Sequence, residues 1–185
     1  MRIIAGQHRG TILADVGKGD AAAHLRPTSD RVRENLFNIL LGGRFGQPVV
    51  GAKVLDLFAG TGALGLEALS RGAAHVTFVE NGKVGGKLIR YNIRKLGRAS
   101  VTKILTEDAT QLGSAGEACS LIFLDPPYGK NLGTKALLNA ADQGWIAENA
   151  LIVWEEASAQ LAPRGFTQLD QRRYGDTWIT ILQKD

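Results

Sequence analysis

Beyond residue 52, short apolar runs alternate with stretches that have helical periodicity. The apolar runs that predict strands are "KVLDLF", "HVTFVE", "VTKILT", "SLIFLD" and "ALIVWEE". The stretches that predict helices are "ALGLEALSRG", residues 83–96 and "GTKALLNAADQG". Repeated strand–helix units indicate a parallel sheet with helices on both faces and right-handed crossovers. The C-terminal segment predicts a hairpin that turns near "YGD" and adds antiparallel strands at the edge of the sheet.

The N-terminal part of the chain has a different pattern. The apolar runs "RIIAG" and "RGTILA" predict a small hairpin, which a polar loop follows. A helix is predicted over "RPTSDRVRENLFNILLGG", with Thr28 as its cap, Asp30 in its first turn and a stop at the Gly42–Gly43 pair. We therefore divide the chain into an extension at residues 1–27 and an α/β domain at residues 28–185.

The bulk properties exclude several classes of protein. A chain of 185 residues is long enough for one domain with a well-buried core. No apolar run approaches the ~20 residues of a membrane span, and the N-terminus lacks the apolar segment of a secretory signal. Cys119 is the only cysteine, and the three histidines show no metal-ligand spacing. We expect a cytoplasmic protein that contacts no membrane and binds no metal.

The net charge of +4 is unevenly distributed. Residues 83–103 contain seven basic and no acidic side chains, and a second basic group lies near the N-terminus: Arg2, His8, Arg9, Lys18, His24 and Arg26. This asymmetry indicates a polyanionic partner. Four of the basic residues in the first group recur at helical spacing: Lys83, Lys87, Arg90 and Arg94. They could form a track for phosphates, but we favour the interpretation that they are the solvated outer face of a helix. The N-terminal group, which comes from a hairpin and loops, is the better candidate for the contact.

A glycine-rich loop follows the first strand of the α/β domain. In "VLDLFAGTGALG", Gly60, Gly62 and Gly65 match the G-x-G-x-x-G pattern of dinucleotide-binding loops, between a strand and a helix. Asp56 precedes the turn, where a carboxylate would repel a pyrophosphate. It would instead attract a ligand that carries an ammonium and a sulfonium group, and S-adenosylmethionine is such a ligand. This acid therefore argues against a nicotinamide or flavin cofactor.

Two further acids lie just beyond the next two strands. Glu80 is placed to accept hydrogen bonds from ribose hydroxyl groups, and Asp108 could accept from the exocyclic amine of an adenine. The carboxyl ends of parallel strands meet at one edge of a sheet, so we expect Asp56, Glu80 and Asp108 to line one ligand site.

The segment "DPPYG" follows the fourth strand and lies at the same edge. The two prolines stiffen the backbone, so that Asp125 and the carbonyl of Pro126 offer two acceptors at defined positions. Tyr128 offers a flat face on which a base could stack. Two acceptors that hold an exocyclic amine could aim its lone pair at a methyl donor and stabilise the positive charge that develops. The released proton would go to Asp125 or to solvent, and the base would have to leave its stack or lie in an unpaired loop.

Together these segments resemble the RsmD family, bacterial enzymes that methylate N2 of one guanine in 16S rRNA with S-adenosylmethionine. The resemblance rests on "MRIIAGQHRG", "RPTSDRVRENLFNIL", "DLFAGTGALGLEALSRGA", "VTFVE" and "DPPYG". It implies a Rossmann-like class I S-adenosylmethionine-dependent methyltransferase fold: a mostly parallel seven-stranded sheet, a C-terminal antiparallel hairpin and a small N-terminal β-hairpin extension. It further implies that "RPTSD" covers the cofactor pocket, that the N-terminal hairpin helps hold RNA, and that the partner is 16S rRNA or the small ribosomal subunit. We expect a monomer.

The resemblance and the residue patterns together name three groups of candidate residues. The candidate cofactor contacts are Asp56, Phe58, Gly60, Gly62, Glu80, Asn81, Asp108 and Ala109. The candidate catalytic residues are Asp125, Pro126, Pro127 and Tyr128. The candidate RNA contacts are Arg2, His8, Arg9 and Arg26.

One segment departs from the family pattern. After Glu80 the chain reads "NGKVGGKL", where helix-forming alanines are expected in place of Gly85 and Gly86. Each glycine should cost the helix ~1 kcal/mol relative to alanine. The departure predicts a helix that frames the adenine pocket less firmly.

Three other functions compete with guanine methylation. An enzyme that methylates adenine N6 or cytosine N4 in RNA or DNA would use the same amine-holding segment. A non-catalytic RNA-binding assembly factor would not need Asp125. A nicotinamide oxidoreductase would need a turn that tolerates anions, which Asp56 opposes.

Overall fold

The computed structural model describes residues 1–15 and 29–185. The helices are α1 (Asp30–Leu41), α2 (Ala63–Ser70), α3 (Lys83–Leu96) and α4 (Leu132–Asp142), with a 3-10 turn at Ala99–Val101. The strands are β1 (Lys53–Leu57), β2 (His75–Val79), β3 (Thr102–Leu105), β4 (Cys119–Leu124), β5 (Ile146–Glu156), β6 (Phe166–Tyr174) and β7 (Thr177–Lys184).

The strands form one seven-stranded sheet in the order β3-β2-β1-β4-β5-β7-β6. The first five strands are parallel, and the C-terminal β6–β7 hairpin joins β5 in antiparallel orientation. The predicted fold class is therefore confirmed. The order reverses between β1 and β4, and ligands of open α/β sheets bind beyond the carboxyl ends of the strands at such a point.

Both faces of the sheet are covered. On one face, Val54 and Phe123 pack with residues of α1, α2 and α3, and on the other, Leu55 and Ile122 pack with residues of α4. A strand that is buried on both faces needs apolar residues at successive positions. This is why the central strands appear in the sequence as continuous apolar runs.

The N-terminal hairpin packs into the same core. Its two arms meet in a single antiparallel bridge between Arg2 and Ile12, flanked by a bond from the Ile3 amide to the Thr11 carbonyl (2.9 Å). The side chains of Ile3 and Leu13 are buried together with residues of α1 and α2. At the tip, a Cβ on Gly6 would collide with the carbonyl of Ser70, and φ at Gly6 is +79°. The hairpin can approach α2 this closely only because residue 6 is glycine.

A buried carboxylate on α2 holds the hairpin in place. Glu67 is inaccessible to solvent and accepts hydrogen bonds from the backbone amides of Ile4 (2.8 Å) and Ala5 (3.0 Å). It also pairs with Arg71 Nε at 2.7 Å and lies 3.7 Å from Nε of the buried Arg33 on α1. This cluster, which the sequence patterns did not indicate, joins the hairpin to two helices.

Two predicted boundaries were wrong. The cap of α1 is Ser29, whose hydroxyl accepts from the Val32 amide at 3.2 Å, and not Thr28, which lies outside the described residues. Asp30 lies in the first turn as predicted. Strand β5 begins at Ile146, four residues before the predicted strand at 150–156, because Ile146 pairs with Cys119 and a register shift follows. Polar residues lie between Ile146 and residue 150, so the apolar pattern did not indicate that the strand begins at Ile146.

None of the helices in the described part of the chain is both long and apolar enough to cross a membrane.

The Glu67 cluster predicts a large loss of stability on truncation. Glu67→Ala removes the acceptor of Arg71 Nε and of two backbone amides, and it takes away one of the carboxylates beside the buried Arg33. We therefore expect the free energy of unfolding to fall by about 3–5 kcal/mol. Urea unfolding measures this. The control is Glu34→Ala, which removes an exposed carboxylate from α1 and should change stability by less than about 0.5 kcal/mol. Similar losses in both variants would contradict the anchoring role of Glu67.

Candidate active site

A cavity of about 580 Å³ opens at the carboxyl edge of the sheet, between the segments that follow β1, β2, β3 and β4. It has the size of a site for a small ligand or cofactor. All but one of the candidate cofactor and catalytic residues line it: Asp56, Phe58, Gly60, Glu80, Asn81, Asp108, Ala109, Asp125, Pro126, Pro127 and Tyr128. Gly62 is the exception. It is the N-cap of α2.

The glycine loop adopts the conformation that its composition predicts. Gly60 and Gly62 have φ of 56° and 79°, a region that favours glycine. The third glycine, Gly65, has a different role, since a Cβ there would lie 2.5 Å from the ring of Phe78 and 2.8 Å from Val76. Gly60 and Gly62 therefore shape the turn, and Gly65 lets α2 pack directly against β2.

Asp56 lies at the inner end of the cavity and is almost completely buried. Its Oδ2 accepts a hydrogen bond from the amide of Gly65 at 3.0 Å. Burial raises the pKa of Asp56 to about 8, and the negative charge of Glu80 adds to the shift, while the bond from Gly65 opposes it. A carboxyl group in this state is stabilised as an anion when a cation is placed beside it.

Glu80 connects two sides of the cavity. One carboxylate oxygen accepts from the amide of Gly60 in the glycine loop (2.8 Å) and the other from the amide of Gly82 before α3 (2.6 Å). Burial raises the pKa of Glu80, and the two backbone hydrogen bonds oppose that shift. Because each oxygen retains further acceptor capacity, Glu80 can hold the loop and still accept from a ligand hydroxyl.

The two unexpected glycines in α3 have different environments. A Cβ on Gly85 would lie 2.7 Å from the carbonyl oxygen of Gly60 and 2.9 Å from the carboxyl carbon of Glu80. A Cβ on Gly86 would meet only the tip of the Arg90 side chain, at 3.3 Å. Helix α3 runs unbroken through both. Gly85 therefore lets the helix lie close against the glycine loop. How firmly α3 frames the adenine pocket stays a prediction.

Asp108 lies at the rim and is exposed. Its Oδ1 accepts from both the amide and the hydroxyl of Thr110, each at 2.8 Å. Ala109, the next residue, is buried beneath the rim. The local turn fixes the direction of the Asp108 carboxylate before any ligand binds.

Tyr128 is held by two residues that the sequence patterns did not single out. Its hydroxyl donates to Glu155 on β5 at 3.1 Å and lies 3.3 Å from the hydroxyl of Thr177 on β7. Burial, together with the charge of Glu155, raises the pKa of Tyr128 well above its usual value, so the phenol stays neutral. The ring is thus fixed at the cavity wall beside Asp125.

The three candidate RNA contacts within the described residues, Arg2, His8 and Arg9, do not line the cavity. Arg2 is exposed and lies 3.8 Å from the carboxylate of Asp30, and Arg9 is exposed at the hairpin tip. His8 is half-buried and accepts from Arg98 Nε at 2.9 Å. Burial and the charge of Arg98 lower the pKa of His8, so it is neutral at pH 7. Arg26 lies outside the described residues, as do the other basic residues of the 16–28 segment.

Residues 1–15 and 29–185 contain no group of three or more His, Cys, Asp or Glu side chains that could hold a metal ion.

Burial raises the pKa of the Cys119 thiol to about 11, so it stays protonated at pH 7.

Similarity to known proteins covers nearly the whole chain. The family described as Conserved hypothetical protein 95 matches residues 1–183. Ribosomal RNA small subunit methyltransferase D of Escherichia coli (strain K12) is 38% identical over 84% of this chain and 74% of its own length. Among solved structures, the Escherichia coli protein yhhF has a TM-score of 0.82 at 34% identity, over 100% of this chain and 98% of that one.

A more distant structure shares the fold alone. An RNA methyltransferase from Salinibacter ruber, solved in complex with S-adenosyl-L-homocysteine, has a TM-score of 0.66 at 14% identity, over 86% of this chain and 94% of that one.

The two glycines of α3 predict opposite effects of the same substitution. Gly85→Ala forces a methyl group against the glycine loop, so we expect stability to fall by about 1–3 kcal/mol and affinity for S-adenosylhomocysteine to fall with it. Gly86→Ala meets only a flexible side chain and should raise stability by about 0.4–1 kcal/mol. Urea unfolding and calorimetry measure the two quantities. A stabilising Gly85→Ala would refute the close approach of α3 to the loop.

The pKa of Asp56 predicts how stability depends on pH. Between its usual value of 3.8 and the folded value of about 8, the folded protein binds more protons at Asp56 than the unfolded protein does. The free energy of unfolding should therefore fall as pH rises through this range. Asp56→Asn retains an oxygen that can accept from Gly65 but does not titrate, and it should have a flatter profile. Denaturant unfolding from about pH 5 to about pH 8 tests this, and identical profiles would disprove it.

Proposed function

Because the chain belongs to the family of ribosomal RNA small subunit methyltransferase D, it is an S-adenosylmethionine-dependent rRNA methyltransferase, and we propose that it methylates the exocyclic N2 amine of one guanine in 16S rRNA. The observation that carries the proposal is the convergence of two segments in one cavity. The glycine loop and the three acids line this cavity together with the Asp125–Tyr128 segment.

The described residues fit the cofactor. S-adenosylmethionine supplies an electrophilic methyl group on a positively charged sulfur. In our proposal, Asp56 is the counter-ion of the cofactor ammonium, which lowers the pKa that burial has raised. The Glu80 oxygens, which already accept hydrogen bonds from the amides of Gly60 and Gly82, can each accept one more, and these come from the ribose hydroxyls. Asp108, fixed by Thr110, accepts from the adenine amine.

Asp125 and Pro126 hold the target amine in this proposal. An exocyclic amine is a weak nucleophile, because its lone pair is delocalised into the ring. The Asp125 carboxylate and the Pro126 carbonyl each accept a hydrogen bond from the amine. The nitrogen then becomes more tetrahedral, and its lone pair points at the methyl group. The Asp125 charge stabilises the cation that forms. Either Asp125 or solvent then takes the proton.

Tyr128 positions the base. Its ring lies at the cavity wall, and its hydroxyl is held by Glu155 and Thr177, so little side-chain freedom is lost when a base stacks on it. Stacking of this kind contributes about 1–3 kcal/mol per base. Adenine and cytosine also carry exocyclic amines, so the choice of guanine N2 rests on the family. A monomeric state, a cytoplasmic location and the division at residue 27 stay predictions.

The substrate can be identified directly. The protein is incubated with tritiated S-adenosylmethionine and small ribosomal subunits that lack the modification, and the labelled nucleoside is identified after digestion of the RNA. We expect N2-methylguanosine in 16S rRNA. If the label appeared only in N6-methyladenosine or only in N4-methylcytidine, the proposed target base would be adenine or cytosine instead of guanine.

Two matched variants test the role of Asp125. Asp125→Ala should lower kcat by about 100-fold or more, because it removes a group that stabilises the transition state, and should leave affinity for S-adenosylhomocysteine nearly unchanged. Glu107→Ala removes the same charge from the rim of the same cavity and should retain activity. Unchanged methyl transfer by Asp125→Ala would contradict the proposed chemistry and favour a non-catalytic RNA-binding role.

A further inference from the structure

The outer face of α3 is basic and exposed. Its exposed cations recur at intervals of three and four residues: Lys83, Lys87, Arg90 and Arg94. None of them forms an ion pair with a carboxylate of residues 1–15 or 29–185. The chain has no acidic residue from 81 to 106. A solvated helix face commonly mixes both signs of charge, and this one does not.

An aromatic ring is exposed among these cations. Tyr91 is 51% exposed and lies one turn from both Lys87 and Lys95. A half-exposed tyrosine flanked by cations combines the two features by which proteins bind nucleic acid strands. These features are a charge that pairs with phosphates and a flat face that stacks on bases.

The basic face continues into the N-terminal hairpin. Lys95 donates to the carbonyl of Ile12 at 2.6 Å, and Arg98 donates to His8 at 2.9 Å, so the end of α3 and the hairpin tip form one surface. The exposed Arg9 lies on this tip. At its other end, α3 begins directly after Gly82, which lines the cavity. The 14 residues of α3 span about 21 Å.

We propose that this face, the α3 surface formed by Lys83, Lys87, Arg90, Tyr91 and Arg94, binds the backbone and one base of the substrate RNA outside the modified nucleotide. The inference rests on the proposed function, in which RNA is the substrate. It revises the interpretation of these residues as a merely solvated helix face. The RNA enters along α3 from the hairpin tip and reaches the cavity at Gly82.

Charge removal at matched positions tests the inference. The first variant is Lys87→Gln/Arg90→Gln/Arg94→Gln. The control, Lys103→Gln/Lys135→Gln/Arg164→Gln, removes three exposed positive charges elsewhere. The dissociation constant for 16S rRNA is measured over a range of salt concentrations. Since each lost phosphate contact lowers the salt slope by about 0.7–0.9, we expect the α3 variant to lose about 2–3 from the slope and to bind at least about tenfold more weakly. The control should have the RNA affinity and salt slope of wild type. Both variants should bind S-adenosylhomocysteine with wild-type affinity.

Tyr91 is tested separately. Tyr91→Ala should weaken RNA binding about tenfold without changing the salt slope, because it removes stacking and no charge. Tyr91→Phe keeps the ring and should bind like wild type. Equal affinity of Tyr91→Ala and wild type would contradict stacking by this residue.

The outcomes separate this inference from the proposed function. If the α3 variant and the control have the same affinity and salt slope while wild type methylates RNA, the inference fails and the proposed function stands. If wild type neither binds nor methylates RNA, both fail. If the α3 variant loses binding to intact subunits but retains binding to naked rRNA, the surface faces a ribosomal protein and the RNA assignment is overturned.

Discussion

The Glu80 carboxylate is the contact on which the shape of the cavity depends. Its two oxygens accept from the amides of Gly60 and Gly82, so that one side chain satisfies backbone donors in the glycine loop and before α3. Both amides lie where no regular ladder would pair them, and a buried unpaired amide is costly. The absence of a Cβ at Gly85 brings α3 close enough for this bridge to form. The position of the proposed RNA-binding surface follows from the same contact, because it is the outer face of that helix.

A second set of contacts ties the N-terminal hairpin to this frame. The buried Asn92 on α3 accepts from the Ala14 amide at 2.8 Å and donates to the carbonyls of Ala14 (3.0 Å) and Thr61 (3.2 Å). Together with Glu67, it anchors the hairpin at both ends. Thr61 belongs to the glycine loop, so Asn92 joins the hairpin, the loop and the helix directly. An RNA strand on the α3 surface would therefore contact a helix that is hydrogen-bonded to the loop at the cavity.

Much of the fold follows from local patterns. The bounds of α3 agree with the predicted range of 83–96, and the central strands appear as apolar runs because both faces of the sheet are buried. The errors arose where pairing was not local. Strand β5 begins at Ile146 because that residue meets Cys119 across the sheet, and nothing near Ile146 indicates this partner. The cap of α1 was misplaced by one residue because Thr28 and Ser29 are chemically alike.

The sequence alone determined that a glycine loop, three acids and a stiff acceptor segment lie at one edge of the sheet, because each follows a parallel strand and such strands end at one edge. Only the tertiary structure decided what each residue contacts there. Tyr128 is fixed by Glu155 and Thr177, 27 and 49 residues away. Gly85 looked like a weak point in a helix until it was known that a Cβ there would lie 2.7 Å from the Gly60 carbonyl oxygen. The periodicity of apolar residues in the sequence predicts which way a side chain faces. The distance between two elements depends instead on how the whole core packs.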